Sequence, residues 1–240
     1  YPPEKIAIPE NYLPEHPFDN GAIKIRDEAL APYPRTKKIV QVHRSEYYAI
    51  ITHMDREIGR ILKSLKKSGR ADSTYVVFTA DHGLSVGQHG LMGKQNPYDH
   101  SIRMPFMISG PGIAKNVTVA EKIYMQSVYP TTCELAGLNV PKTVDFKSVL
   151  PLIKGEKGSG EKIIFNAYIE TQRLVRTDRY KLVHYPKIGR NQLFDLKEDP
   201  LETKDLINDP KLEPVKKKLL ATLGKKRIEL GDGLLDAKPG

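Results

Sequence analysis

Two residues of metal-binding type follow directly after an apolar segment. Asp81 and His82 come immediately after residues 73–80, which are rich in β-branched and aromatic side chains and predict a buried strand. In an open α/β sheet, ligands collect at the carboxyl ends of strands, where a carboxylate and an imidazole can both reach a metal ion. The alternative is that Asp81 caps a turn and His82 is an ordinary loop histidine. The segment that follows favours the metal site.

That segment is rich in glycine and ends in a lysine. Its glycines are Gly83, Gly87, Gly90 and Gly93. They allow the backbone to fold tightly beside a bound group. Lys94 follows them and brings a point charge that can bind an oxyanion. The sequence therefore predicts a loop that holds both a metal ion and an anion.

The elements around this loop predict an α/β fold. Residues 38–68 carry apolar side chains at spacings of three and four, which predict a helix with one face packed in the core. That face consists of Tyr47, Ile51, Met54, Ile58, Ile61, Leu62 and Leu65. Strands are predicted at 73–80 and 104–109, and the order of helix and then buried strand is typical of α/β sheets. A second helix at 127–138 would bury Cys133 as a small hydrophobe rather than a reactive thiol.

After residue 160 the pattern changes to short strands separated by turns. Strands are predicted at 163–170, 172–176, 180–185 and 192–195, and their close spacing predicts an antiparallel meander. A helix is predicted from 214 to 230. We therefore expect two parts: residues 1–145 in an α/β domain and residues 146–240 in a small α+β subdomain. Residues 1–38, which are rich in proline, are expected to form an extended surface segment.

Composition and charge restrict the class of protein. Hydrophobic residues make up 39% and charged residues 28% of the chain, which is typical of a folded soluble protein. The net charge of +9 indicates first a well-solvated basic surface and, as the second interpretation, attraction to an anionic substrate. Lysine and arginine are spread along the chain without a nucleic-acid-binding module, so we expect no nucleic acid partner. No apolar run is long enough to predict a transmembrane segment. The chain starts with neither a signal peptide nor a methionine, so we expect it to begin within a longer protein.

Three segments together resemble the type I sulfatases of the alkaline phosphatase superfamily. They are Thr79-Ala-Asp-His-Gly83, Gly90-Leu-Met-Gly-Lys94 and Tyr98-Asp-His-Ser-Ile-Arg-Met-Pro-Phe106. The Asp-His pair is most similar to the iduronate-sulfatase-like and bacterial branch. Residues 47–59, 127–138, 175–182 and 193–200 extend the resemblance over most of the chain. It implies part of an alkaline-phosphatase-like sandwich, with a mostly parallel central sheet flanked by helices, and a small C-terminal antiparallel sheet with a helix.

The resemblance also implies roles for the residues of the loop. Asp81 and His82 would be ligands of a divalent cation, usually calcium, although an imidazole leaves the identity of the metal open. Lys94 would bind the sulfate group and stabilise charge developing on the ester. His89 and His100 are candidates for lining the pocket. In the C-terminal subdomain, the candidates for gripping an anionic sugar are Lys181, His184 and Arg190.

The nucleophile motif of the family does not occur in this sequence. The motif Cys/Ser-X-Pro/Ala-X-Arg matures to formylglycine, whereas Cys133 is followed by Glu-Leu-Ala-Gly. We expect the formylglycine and the remaining metal ligands to lie in a missing N-terminal half of the same protein. Because half of a metal site binds a cation poorly, we expect no turnover from the 240 residues alone.

The resemblance implies hydrolysis of a sulfate ester on a carbohydrate or a similar small anionic molecule. Two alternatives stay open. One is a phosphodiesterase or phosphonate monoester hydrolase of the same superfamily, and the other is a degenerate domain that binds without turnover. A single cysteine does not indicate the compartment. The resemblance suggests the periplasm, the outside of the cell or the lysosome.

Overall fold

The structure is a computed structural model that describes residues 1–156 and 158–232. Residue 157 and residues 233–240, both within the predicted C-terminal subdomain, lie outside the described residues. The helices are α1 (Lys37–Lys67), α2 (Asp99–Ile102), α3 (Val128–Leu135), α4 (Leu150–Ile153) and α5 (Glu213–Glu229). The strands are β1 (Val76–Thr79), β2 (Phe106–Ser109), β3 (Ile164–Tyr168), β4 (Gln172–Arg176), β5 (Tyr180–Tyr185) and β6 (Arg190–Asp195). In the part of the chain that the structure describes, no helix has the length and apolar character that a bilayer crossing requires.

The C-terminal sheet is the antiparallel meander that the sequence predicts. Its strands lie in the order β3-β4-β5-β6, and each pairs with its neighbour in antiparallel orientation. Side chains alternate between the two faces of a strand, so neighbouring residues can enter different cores. On one face Val175, Leu182 and Leu193 pack against Leu219 and Leu223 of α5. On the other face Leu174, Val183 and Phe194 pack against Leu91 and Tyr98. The sheet therefore lies between α5 and the loop that was predicted to hold the site.

The first sheet contains β1 and β2, which pair antiparallel with Val76 opposite Ser109. The part of the predicted central sheet that this chain forms is thus antiparallel rather than parallel. A parallel pair needs a crossover that returns over the face of the sheet. Here the connection forms the predicted site loop and the single turn α2, and it brings the chain back in the opposite direction. The helices and the two sheets confirm the α/β class.

α1 has the predicted bounds but not the predicted burial. The Thr36 side chain accepts a hydrogen bond from the Ile39 N–H at 3.2 Å and caps the start of the helix. Along the predicted core face, however, Met54 is 46% exposed and Ile61 is 68% exposed. The prediction that this face packs inside the chain is therefore wrong. An uncovered apolar face of this length indicates an interaction surface.

The N-terminal segment before α1 is more than a surface segment. Ile6, His16 and Arg35 are buried, and the His89 N–H donates to the Asn11 carbonyl at 2.8 Å. Prolines keep this segment from forming long helices or strands but do not prevent packing. The prediction of an extended surface segment is wrong for these residues. Cys133, in contrast, is buried in α3 as predicted.

Candidate metal- and anion-binding site

Asp81 and His82 lie just beyond the carboxyl end of β1, where the sequence places them. Asp81 Oδ2 is 3.4 Å from His82 Nε2, and the side chains are 77% and 34% exposed. The backbone N–H of His82 donates to Asp81 Oδ1 at 3.0 Å. A carboxylate oxygen and an imidazole nitrogen therefore stand side by side at the protein surface.

The ring of His82 is oriented in a way that suits metal binding. Its Nδ1 lies 3.0 Å from the carbonyl oxygen of Gly83. A carbonyl only accepts hydrogen bonds, so Nδ1 carries a proton in this contact, and in the neutral ring the lone pair is then on Nε2. Histidines that bind metals commonly use their second nitrogen in this way, because the hydrogen bond fixes the tautomer and the ring plane. The nitrogen that faces Asp81 is thus the one able to coordinate a cation.

The pair alone offers too few donors for a metal ion. Within residues 1–156 and 158–232, no group of three or more His, Cys, Asp or Glu side chains is arranged to hold a metal ion. Divalent cations in proteins take about four to eight ligands. A metal ion bound by Asp81 and His82 would therefore need further donors besides the His, Cys, Asp and Glu side chains of the described residues. A mixed oxygen and nitrogen donor set fits manganese or zinc as well as calcium.

Gly83 ties the Asp81–His82 turn to α2. Its N–H donates to the Ser101 carbonyl at 2.8 Å. A Cβ atom at this position would lie 1.9 Å from the carbonyl oxygen of His100. Only glycine permits the two backbones to approach so closely. The turn is therefore fixed against the helix that carries His100.

Ser85 joins α2 to the residues before Lys94. Its hydroxyl donates to the Gly93 carbonyl at 2.8 Å and accepts from Asn96 Nδ2 at 2.9 Å. It also lies 2.8 Å from His100 Nε2. Since the hydroxyl proton is directed at Gly93, the Nε2 of His100 must be the donor in the last contact. Burial lowers the pKa of His100 well below its usual range, which keeps the ring neutral.

Lys94 emerges from this network with an ammonium that has no partner. Its backbone N–H donates to Gln95 Oε1 at 3.2 Å. Among the described residues, the side chain makes no hydrogen bond or ion pair, although it is partly buried and lies close enough to Asp27 for a Coulombic interaction. An unpaired ammonium on a fixed backbone can bind an anion without first breaking an internal contact. One continuous set of contacts thus links the Asp81–His82 turn, His100 and the Lys94 segment.

His89 lies in the core behind the loop. Its ring stacks on Tyr98 with centroids 3.8 Å apart, and the ring of His100 is 5.6 Å away. Its Nε2 lies 3.1 Å from Asn11 Nδ2, and its carbonyl lies 2.8 Å from His16 Nδ1. Burial lowers the pKa of His89 to about 4. The predicted role of His89 in lining the pocket stays a prediction, and its contacts here are structural.

We expect acid to destabilise this core. Burial lowers the pKa values of His16 and His89 from 6.5 to about 4. Below pH 6.5 these histidines become protonated in the unfolded chain but stay neutral in the folded chain. The free energy of unfolding therefore falls as the pH decreases to about 4. Each histidine should contribute about 3 kcal/mol to this loss. Urea unfolding of the whole protein at several pH values between 7 and 4 measures the slope.

His89→Gln should flatten that slope, because the titrating ring is removed. His53→Gln is the matched control, since His53 is exposed on α1 and should not affect the pH dependence. Equal slopes for the wild type and His89→Gln would contradict the assignment of His89 as a buried neutral histidine.

Several residues that build the site were not predicted from the sequence. The sequence points only weakly to Ser85 and Asn96 as site residues, through their position as polar residues inside or beside the glycine-rich segment. It does not point to Glu28 and Arg35, because they lie far from the loop in sequence and belong to no motif. Lys181, a candidate for gripping a sugar, is fully buried and paired with Asp99, so it is not available to a substrate.

Comparisons with known proteins agree with the geometry. A family model described as Sulfatase matches residues 10–138, and one described as N-sulphoglucosamine sulphohydrolase, C-terminal, matches residues 87–229. Each match covers more than half of the chain. An arylsulfatase of Clostridium perfringens is 31% identical over 179 residues, which are 72% of this chain and 37% of the relative.

Two solved structures share the fold. A 2-O GAG sulfatase superimposes with a TM-score of 0.80 at 24% identity, covering 95% of this chain and 53% of the other. A phosphonate monoester hydrolase from Silicibacter pomeroyi superimposes with a TM-score of 0.81 at 23% identity, covering 99% and 52%. The chain therefore spans about half of these structures and about a third of the curated relative.

Proposed function

Because this chain belongs to the type I sulfatases of the alkaline phosphatase superfamily, we propose that the whole protein hydrolyses sulfate esters. The observation that carries the proposal is the arrangement at the end of β1. Asp81 and His82 stand side by side there, and Ser85 connects their turn with the segment of the unpaired Lys94. This arrangement offers two ligands for a cation and one ammonium for an anion.

We propose that Asp81 and His82 hold a divalent cation, with calcium as the metal that the family resemblance suggests. Such a cation would polarise the oxygens of a bound sulfate group. The Lys94 ammonium would bind the same group and stabilise the negative charge that develops as the ester bond breaks. The nucleophile, a formylglycine by family resemblance, would come from outside this chain. His100 would hold the loop between the two binding elements through Ser85.

The substrate that we propose is a sulfated carbohydrate or a similar small anionic molecule. The net charge of +9 favours the approach of anions to the protein. A 2-O GAG sulfatase has the same fold, and a sulfated sugar as substrate is consistent with that shared fold. Lys181 takes no part in this recognition, because it is buried in ion pairs.

We propose that the remaining half of the catalytic domain covers the uncovered apolar surface. That surface includes the face of α1 around Met54 and Ile61. It also includes both faces of the β1–β2 pair, since Val77 and Met107 are exposed and point to opposite sides. A two-stranded sheet of this kind is at best marginally stable by itself. Further strands and helices of the same protein would pair with it and bury it.

Assays of the whole protein with its matured nucleophile test the proposal. We expect it to release phenolate from an aryl sulfate, to lose this activity when a chelator removes the metal, and to regain it with calcium or manganese. The 240 residues alone should show no turnover, because they hold only part of the metal site.

Parallel assays with aryl phosphate and phosphonate esters provide the control. Faster turnover of a phosphonate than of the sulfate would replace the proposal by a phosphonate monoester hydrolase. Absence of both turnover and metal binding in a calorimetric titration of the whole protein would indicate a degenerate domain. Metal-dependent turnover by the 240 residues alone would show that the site is complete within this chain.

A further inference from the structure

A buried carboxylate holds the backbone immediately before Lys94. Glu28 lies in a short 3-10 segment, Arg26–Leu30, and is 5% exposed. Its Oε2 accepts the Met92 N–H at 2.9 Å, and its Oε1 accepts the Gly93 N–H at 2.8 Å. Hydrogen bonds from N–H groups to an ionised carboxylate are about twice as strong as neutral ones. Two consecutive backbone groups of the site loop are thus bound to one side chain.

Arg35 fixes this carboxylate in turn. Arg35 is fully buried, and its Nη2 lies 2.6 Å from Glu28 Oε2 and 3.0 Å from the Glu28 carbonyl oxygen. Its Nε donates to the Gly90 carbonyl at 3.3 Å. The guanidinium therefore contacts both the carboxylate and the loop that the carboxylate binds. The pairing also compensates the charge of Glu28, so the carboxylate can be buried without a large penalty.

The neighbouring residue, Asp27, acts on the Lys94 N–H through the side chain of Gln95. Asp27 Oδ2 accepts from Gln95 Nε2 at 2.9 Å, and Gln95 Oε1 accepts the Lys94 N–H. Gly93 is packed against both acidic side chains, since a Cβ there would lie 2.9 Å from Asp27 Cβ and 3.0 Å from Glu28 Oε1. Three consecutive backbone N–H groups, up to that of Lys94 itself, are therefore held directly or through Gln95 by the same 3-10 segment.

We infer that Glu28, paired with Arg35, is a positioning residue that sets the place of the Lys94 ammonium for catalysis. The inference rests on the proposed function of Lys94. Glu28 does not contact the substrate and acts through the backbone of Met92 and Gly93. Glutamine cannot replace it, because the amide nitrogen would face either an N–H donor or the guanidinium.

A double-mutant cycle in the whole protein tests the inference. Glu28→Gln should lower kcat/KM for an aryl sulfate by on the order of 10- to 100-fold, because small displacements of a catalytic group have effects of that size. In a Lys94→Ala background the same substitution should change kcat/KM by no more than about 3-fold, because the group that Glu28 positions is gone. Equal losses in both backgrounds would show that Glu28 supports the fold only and would overturn the inference.

Asp232→Asn is the matched control. Asp232 is a carboxylate bound by Arg173 at 2.6 and 2.8 Å and by Arg227 at 3.1 Å, but it lies outside the site loop. This variant should lower the midpoint of urea unfolding and leave kcat/KM within about 3-fold of the wild type. If Asp232→Asn lost as much kcat/KM as Glu28→Gln, general destabilisation would explain the loss in both variants, and the inference would be overturned.

Hydrogen exchange separates this inference from the proposed function. Glu28→Gln should accelerate deuterium uptake at the Met92 and Gly93 amides of the whole protein, whether or not the protein hydrolyses sulfate esters. If the wild type showed no turnover but Glu28→Gln still accelerated uptake at these two amides, the proposed function would be refuted. The conclusion that Glu28 holds the backbone of Met92 and Gly93 would remain. Unchanged uptake at the two amides in Glu28→Gln would show that Glu28 does not hold this backbone, and it would overturn the inference even if the enzyme were active.

Discussion

Replacing Lys94 by alanine in the whole protein should lower kcat/KM for an aryl sulfate by on the order of 100- to 1,000-fold, the loss typical of a group that stabilises charge in the transition state. Among the described residues the ammonium makes no hydrogen bond or ion pair and has only a Coulombic interaction with Asp27, so its removal breaks no specific polar contact there. We therefore expect the free energy of unfolding to stay within about 0.5 kcal/mol of the wild type. Steady-state kinetics and urea unfolding measure the two quantities.

Two companion variants sharpen this result. Lys115→Ala removes an exposed lysine outside the site loop and should leave kcat/KM unchanged. Lys94→Arg keeps the charge but replaces a compact ammonium with a planar guanidinium, so it should recover only part of the activity. If Lys94→Ala retained wild-type kcat/KM, or if it unfolded the protein, Lys94 would be structural and the anion site would lie elsewhere.

The parts of the fold that the sequence predicts well are those set by local patterns. The bounds of α1 and the four strands of the meander follow from spacing and turn residues within short windows. The position of Asp81 and His82 after β1 follows in the same way, because a strand and the residues after it are contiguous in sequence. The glycine at 83 had a visible signal as well, but its reason, the close approach of α2, required the structure.

Hydrophobic periodicity predicts that a helix face will be buried, but not what buries it. The face of α1 that includes Met54 and Ile61 has the spacing of a core helix and is uncovered in this chain. We propose that a part of the protein outside this chain covers the face. The periodicity alone does not distinguish burial within this chain from burial against another part.

Contacts between residues distant in sequence account for the remaining errors. The prediction that Lys181 grips a sugar comes from the family resemblance, because in that family the C-terminal subdomain can border the substrate cleft. It is wrong because Asp99 and Glu202, from two separate segments, meet the amine in the core. No local pattern contains these pairings, since each depends on how the sheet packs against the site loop.

The buried ion network around Lys181 should be among the largest contributions of a single side chain to stability. Its Nζ lies 2.5 Å from both Asp99 Oδ1 and Glu202 Oε1 and donates to the Pro97 carbonyl at 3.0 Å. Lys181→Met would leave two carboxylates close together in the core, with Arg176 as the remaining cation at 2.8 Å from Asp99. We expect the free energy of unfolding to fall by about 3 to 5 kcal/mol, the usual cost of removing one partner of a buried pair. Urea unfolding of the whole protein measures it.

The exposed pair of Lys187 and Glu170 is a matched control, because its side chains are 51% and 54% exposed at a distance of 2.8 Å. Lys187→Met should cost less than about 1 kcal/mol, since water already solvates both charges. Adding Glu202→Gln to Lys181→Met should restore part of the lost stability, because it removes one of the two uncompensated carboxylates. If Lys181→Met cost no more than Lys187→Met, the ammonium could not be holding α2 against the C-terminal sheet. The link between the sheet and the site loop would then depend on other contacts, such as the apolar contacts of Leu91 and Tyr98 and the ion pair of Arg176 with Asp99.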